Sequence, residues 1–204
     1  MKDTHFCFAF VLDPGTWHGK RKTLLPEDIK GVKVRPANAT LVNFVTLLGG
    51  TNVQASAPEA REILERGVAD EITFTLGSLV LFGMDKVTKY HLDMPFYSVT
   101  LVWVMNQAKY DALSAAQRSV VDRHCNAEWA EKIGSPLADF EQEGRAKLAA
   151  MPGHEVYKRT PDQIAAWRKA AEPLKAQWAT HVKDADAVYA ALVAELKKRG
   201  ALVE

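Results

Sequence analysis

One arginine stands where it can hold an anion. Arg35 closes the short alternating run Val32-Lys33-Val34-Arg35, and Pro36, which has no donor for a ladder, ends the run behind it. A guanidinium at a strand end is a ready carboxylate clamp. It stays charged at physiological pH and presents a planar fork of donors. Phe74 lies toward the end of the next strand candidate, and an aromatic ring there gives contact area at little entropic cost. Trp17 and His18 lie in a polar stretch beside the turn-like Asp13-Pro14-Gly15, and Asn38 stands three residues after Arg35 at the start of a helix. Arg35, Phe74, Trp17, His18 and Asn38 form the candidate ligand-binding set. Their chemistry is that of holding a small organic anion, not of transforming it.

Templates for catalysis are missing. There is no GxSxG elbow, no GxGxxG or Walker loop and no HExxH. The histidines His5, His18, His91, His124, His154 and His181 are scattered, and no two share a helix face at metal-ligand spacing. Glu59, Glu62 and Glu65 with Arg61 and Arg66 have the spacing of a solvated helix face. No catalytic residue, metal or cofactor is expected. A small α/β enzyme with His18 or His91 as base and Ser78 as nucleophile is an alternative, but no third group orients either base. Cys7 and Cys125 form no metal or CxxC motif and are expected as two buried thiols rather than a disulfide.

The elements that must position these groups alternate. His5 to Leu12 is a strand candidate, Thr16 to Lys22 a polar loop, and Val32 to Arg35 a strand. Asn38 caps a helix through Leu48 that Gly49-Gly50 stops. Thr51 to Gln54 is a short strand, Ser56-Ala57-Pro58-Glu59 opens a helix ending at Gly67, and Glu71 to Leu76 is the next strand. Short strands joined by helices imply an α/β sheet. Lys89 to Asn106 is one long strand, or two joined at Pro95. Ser114 caps a helix whose stripe runs Val121, Cys125, Trp129, Ile133, Leu137 and Phe140, with a kink expected at Pro136. His154 to Lys158 is a strand, Thr160 caps a helix carrying Trp167 and Trp178, and Asp186 to Lys198 is a last amphipathic helix.

The 204 residues suffice for one large domain or two small lobes. A net charge of +1 gives no field for nucleic acid or anionic lipid. No apolar run reaches the roughly 20 residues that span a bilayer, so no membrane insertion is expected. The opening Met1-Lys2-Asp3-Thr4-His5, with the short apolar run behind it and no small-residue cleavage site, is not a signal peptide. Taken as complete, the chain would be cytoplasmic.

Asp28-Ile29-Lys30-Gly31-Val32-Lys33-Val34-Arg35, the helix ending Leu47-Leu48-Gly49-Gly50, and Glu59 through Gly67-Val68-Ala69-Asp70 resemble the middle of the substrate-binding proteins of TRAP transporters. Lys86-Val87-Thr88-Lys89-Tyr90, the long strand and Tyr110 to Gln117 continue the resemblance in order. The arginine motif with the Gly-x-x-Asp motif at this spacing carries it; either alone would be weak.

The resemblance implies a periplasmic-binding-protein-like type II fold of two lobes, with the second lobe largely complete and the first partly present. Residues 13–95 would form the second lobe. Residues 1–12 and 96–204 would supply crossover strands, a long hinge helix and the remnant of the first. It implies a receptor that binds a small organic carboxylate at Arg35 and delivers it to a TRAP membrane permease from the periplasm. The position after Thr73, here Phe74, would face the cleft. Thr73 stands where members that hold a metal carry glutamate, and Ala57 where sialic-acid-type members carry an aromatic, so neither a metal nor sialic acid is implied. The family's opening stretch has no counterpart, and the chain is expected to be an N-terminally truncated member. The helices from Thr160 to Arg199 are then expected to leave apolar surface uncovered. A ligand-sensing regulatory domain is a further alternative, though no basic recognition helix is visible.

Overall fold

The computed structural model describes residues 3–201. Residues 1–2 and 202–204, the extremes of the two outer expected segments, lie outside the described residues.

Strand β1 (Thr4–Gly19) is the spine of the molecule. Its first half pairs antiparallel with β6 (Tyr97–Asn106), from Thr4 opposite Asn106 to Leu12 opposite Val99. Its second half lies between β4 (Glu71–Phe74) and β5 (Tyr90–Leu92), antiparallel to both. Beyond β4 come β2 (Lys33–Arg35) and β3 (Thr51–Asn52), each parallel to its neighbour. On the other side, β7 (Glu155–Tyr157) runs parallel to β5. The order is β3-β2-β4-β1-β5-β7, with β6 on β1.

Asp13-Pro14-Gly15 does not make the expected turn. Pro14 lacks an N–H, and the ladder takes it up as an irregularity between Leu12 and Gly15, after which the strand continues. Gly15 leaves the space the Tyr97 ring lies across, since a Cβ there would fall 2.0 Å from that ring. Thr16 to Gly19 is therefore buried central strand, not polar loop. The long apolar stretch divides at Pro95 into β5 and β6, the second of the two forms the sequence allows.

Helix α1 (Ala39–Leu47) starts at Asn38, whose Oδ1 accepts the Leu41 N–H at 3.0 Å. Helices α2 (Ala60–Glu65) and α3 (Leu76–Leu81) flank β4. After β6 the chain is mostly helical: α4 (Gln107–Asp111), α5 (Ala115–His124) and α6 (Ala127–Ala150), then, past β7, α7 (Pro161–His181) and α8 (Ala185–Lys198). The expected stripe from Val121 to Phe140 is interrupted at Cys125–Asn126. There Asn126 caps α6 by accepting the Trp129 N–H at 3.1 Å.

The two faces of the sheet carry separate cores. Trp17, Val34, Phe44, Leu92 and Trp167 pack on one, under α1 and α7. Ile72, Phe74, Leu64, Leu79 and Leu148 pack on the other, under α2, α3 and α6. β7 extends the sheet of residues 13–95, and Trp167 of α7 fills its core.

The expected thiols form a disulfide, Cys7–Cys125, across 118 residues, with Cα atoms 4.1 Å apart. The break between α5 and α6 sets Cys125 over β1, a proximity that sequence separation cannot express. Apolar surface is left open on the last helices, where Trp178, Val188 and Leu192 are 38%, 47% and 55% exposed. Trp167, grouped with them in the sequence, is buried.

Candidate functional site

Strands β2 and β4 run parallel and end side by side, Arg35 opposite Ile72. The crevice beyond the carboxyl ends of such strands is where open α/β sheets bind ligands. A cavity of about 510 Å³ lies here, lined by Arg35, Asn38, Phe74, Thr75, Ser78 and Tyr97, with Leu12, Val99 and Leu101 from the β1/β6 ribbon.

Arg35 is 8% exposed. Its Nε donates to the Ala55 carbonyl at 3.0 Å, which fixes the plane of the guanidinium, and its central carbon stands 5.6 Å from the Phe74 ring centroid. Burial lowers its pKa from the ordinary value. An arginine remains charged under such a shift. None of the ion pairs among the described residues involves Arg35. A buried cation of this kind is costly unless a partner arrives. Asn38 spends its carbonyl on the α1 cap, so its amide N–H groups are what it can offer a ligand. Phe74 meets Phe82 edge-on and forms the apolar side. The Tyr97 phenol is pushed up by burial above all, and stays neutral.

Trp17 and His18, expected with this set, lie away from the cavity. Continuing β1 through Gly15 turns both inward. Trp17 lies in the core against Trp167 and Phe96, and its indole N–H donates to the buried carboxylate of Glu71. That carboxylate also accepts from Thr23 Oγ1 at 2.8 Å. His18 is fully buried behind Phe74 and lines no part of the cavity. Nor does the alternative enzymatic set assemble, because the Ser78 hydroxyl is bonded to Glu141 at 2.6 Å and His18 to His91 at 2.9 Å.

Sequence reasoning overlooked Tyr97, Thr75 and, above all, Glu141. Glu141 lies on α6, is 2% exposed, and reaches the first turn of α3. It accepts the N–H of Gly77 at 2.5 Å and the hydroxyls of Thr75 at 2.8 Å and Ser78 at 2.6 Å. The approach is possible because Gly77 and Gly144 let the two helices touch backbone to backbone. The cluster Thr75-Leu76-Gly77-Ser78 was the available sign: two hydroxyls and a glycine directly after a strand.

The scattered histidines also converge. His18 Nε2 donates to the Phe74 carbonyl at 3.1 Å, so its Nδ1 must accept, and His91 Nδ1 donates to it at 2.9 Å. His91 Nε2 then accepts from His154 Nδ1 at 2.9 Å, and His154 Nε2 accepts from Lys89 Nζ at 3.4 Å. Every ring is neutral in this chain. Burial holds His18 at about 4. Burial, with the neighbouring His18, His154 and Lys89, holds His91 at about 2. Their contribution to stability is complete above the ordinary value of 6.5 and is lost as pH falls toward 4, because the unfolded chain then binds protons that the fold refuses. Glu71, raised by burial, acts in the opposite sense and would mask the effect in a melt. Imidazole NMR isolates it. The His18 and His91 signals are expected to remain those of neutral rings at about pH 5. Titration near pH 6.5 would contradict the chain of bonds.

The family model described as bacterial extracellular solute-binding protein, family 7 (DctP), matches residues 16–181. The chain belongs to this family. Among solved structures, a TRAP periplasmic solute-binding protein from Bordetella bronchiseptica with bound (R)- and (S)-mandelate is 24% identical, with a TM-score of 0.84 over 97% of this chain. A marine metagenome TRAP solute-binding protein specific for aromatic acids, in complex with metahydroxyphenylacetate, is 26% identical, with a TM-score of 0.78 over 90% of this chain. DctP7 of Bordetella pertussis, an extracytoplasmic solute receptor binding pyroglutamic acid, is 18% identical, with a TM-score of 0.81 over 90%. The chain spans 64%, 59% and 61% of their respective lengths. The resemblance to TRAP substrate-binding proteins holds, and so does the expected fold class: a family 7 α/β fold corresponding to part of the two-lobed binding proteins. Family 7 is a family of transport receptors. No helix among the described residues of this member is long and apolar enough to cross a membrane.

Proposed function

We propose that this chain is the ligand-holding part of a periplasmic solute receptor that binds a small organic carboxylate and delivers it to TRAP membrane permease subunits. The supporting observation is Arg35, a buried guanidinium at a cavity wall with no acidic partner among the described residues. A carboxylate is the group whose geometry and charge complete it. The ligands of the solved relatives, mandelate and metahydroxyphenylacetate among them, are carboxylates of a size that suits about 510 Å³. Asn38 adds a donor beside the arginine, and Phe74 an apolar wall.

A thermal-shift panel of aliphatic, aromatic and hydroxy acids against their amides and alcohols tests this reading. Acids are expected to raise the melting temperature, while the neutral analogues leave it unchanged. Stabilisation by the amides to the same extent would remove the carboxylate from the account.

A further inference from the structure

The hydroxyls of Thr75 and Ser78 line the cavity on α3, and both have committed their protons. Glu141 accepts the backbone N–H of Gly77 at 2.5 Å through Oε2. Its Oε1 stands 2.8 Å from Thr75 Oγ1 and 2.6 Å from Ser78 Oγ. The Ser78 N–H, at 3.3 Å, points between the two oxygens. Both hydroxyls donate to Oε1, and the backbone N–H groups donate to the same carboxylate, whose oxygens accept. What remains of each hydroxyl, on the cavity side, is lone pairs.

We infer that this wall selects a carboxylate that also carries a hydroxyl group, and rejects the oxo acid or dicarboxylate of the same size. The inference rests on the reading that Arg35 takes the carboxylate. A ligand hydroxyl donates into the lone pairs of Thr75 or Ser78. A ligand carbonyl oxygen there meets acceptor against acceptor and leaves both unpaired. A second carboxylate is worse, because it faces the buried charge of Glu141 and finds no second arginine or lysine in the lining. The charge of Glu141 is already felt in the cavity, where it helps to raise the Tyr97 phenol.

The test is calorimetry with pairs that differ only in donor against acceptor: mandelate with benzoylformate, lactate with pyruvate, and 3-(hydroxymethyl)benzoate with 3-formylbenzoate. In each pair that binds, the hydroxy acid is expected to be tighter by about tenfold or more. The ratio is read within a pair, so weak absolute affinity does not obscure it. Glu141→Gln supplies a readout that loss of packing cannot imitate. Its amide oxygen can keep the Gly77 N–H while its NH2 donates to both hydroxyls, which turns their protons into the cavity. The preference is then expected to shift toward the oxo acid. Should that variant fail to fold, Ser78→Ala is expected to reduce the discrimination several-fold. Equal binding within the pairs, or tighter binding of the oxo acids, overturns this inference and leaves the carboxylate reading standing. Binding of no acid at all overturns both.

Discussion

Arg35→Ala is expected to weaken binding of the cognate acid by about 2–5 kcal/mol, a loss of about 30-fold to several thousand-fold. The effect is large because the guanidinium is 8% exposed and has no internal carboxylate to fall back on. Its removal leaves a desolvated anion facing Phe74 and an amide from Asn38. Arg35→Lys is expected to recover only part of the loss. An ammonium keeps the charge but not the fork, and cannot hold the Ala55 carbonyl and the ligand in one plane. Titration calorimetry with any acid found to bind decides it. Unchanged affinity in the alanine variant would place the anion elsewhere. One other cavity, about 450 Å³ beside the Cys7–Cys125 disulfide, is a poor substitute because it has no arginine or lysine in its lining.

The largest loss of stability is expected from Gly144→Ala. A Cβ on Gly144 would stand 2.1 Å from the Gly77 Cα and 2.7 Å from its nitrogen. Both are backbone atoms, so no rotamer change relieves the clash and α3 must move away from α6. The cost is expected to reach about 3 kcal/mol or more, the upper end of overpacking. It should be accompanied by weaker ligand binding, because Thr75 and Ser78 travel with α3. Gly134→Ala in the same helix is the control. Its added methyl meets the Phe10 side chain at 3.2 Å, which a shift of a few tenths of an ångström relieves, so the cost is expected to be far smaller than that of Gly144→Ala. Urea midpoints of the two variants compare them directly. Equal midpoints would mean that the α3–α6 crossing is looser than the backbone contact implies.

What was legible in the sequence was local. Asn38 as a helix cap, the capping boxes at Ser114 and Thr160, and Arg35 at a strand end each follow from a few neighbouring residues whose hydrogen bonds close on themselves. What was misread was long-range. Asp13-Pro14-Gly15 has turn composition, yet the pairing of the residues before it with β6, and of those after it with β4 and β5, holds it extended. Local preference of the order of 1 kcal/mol yields to a two-sided ladder. That single misreading placed Trp17 and His18 in a loop and so at the site. Glu141, the His18–His91–His154 chain and the Cys7–Cys125 bond are separated by 63 to 118 residues. Their partners are chosen by the topology alone, and no spacing announces them.

The cavity has a fixed floor and a variable wall. Its floor, α3, is pinned by a buried carboxylate and by two glycines that tolerate no substituent. Its opposite wall consists of side chains such as Val99 and Leu101, which stand on β6 with Leu101 still 38% exposed. Substitutions there resize the space at small cost to the fold, because little buried contact depends on them. A lineage can therefore change the bulk of this space through β6, while Arg35 and α3 stay in place. Such a division of labour lets one scaffold diversify its cargo without passing through unstable intermediates.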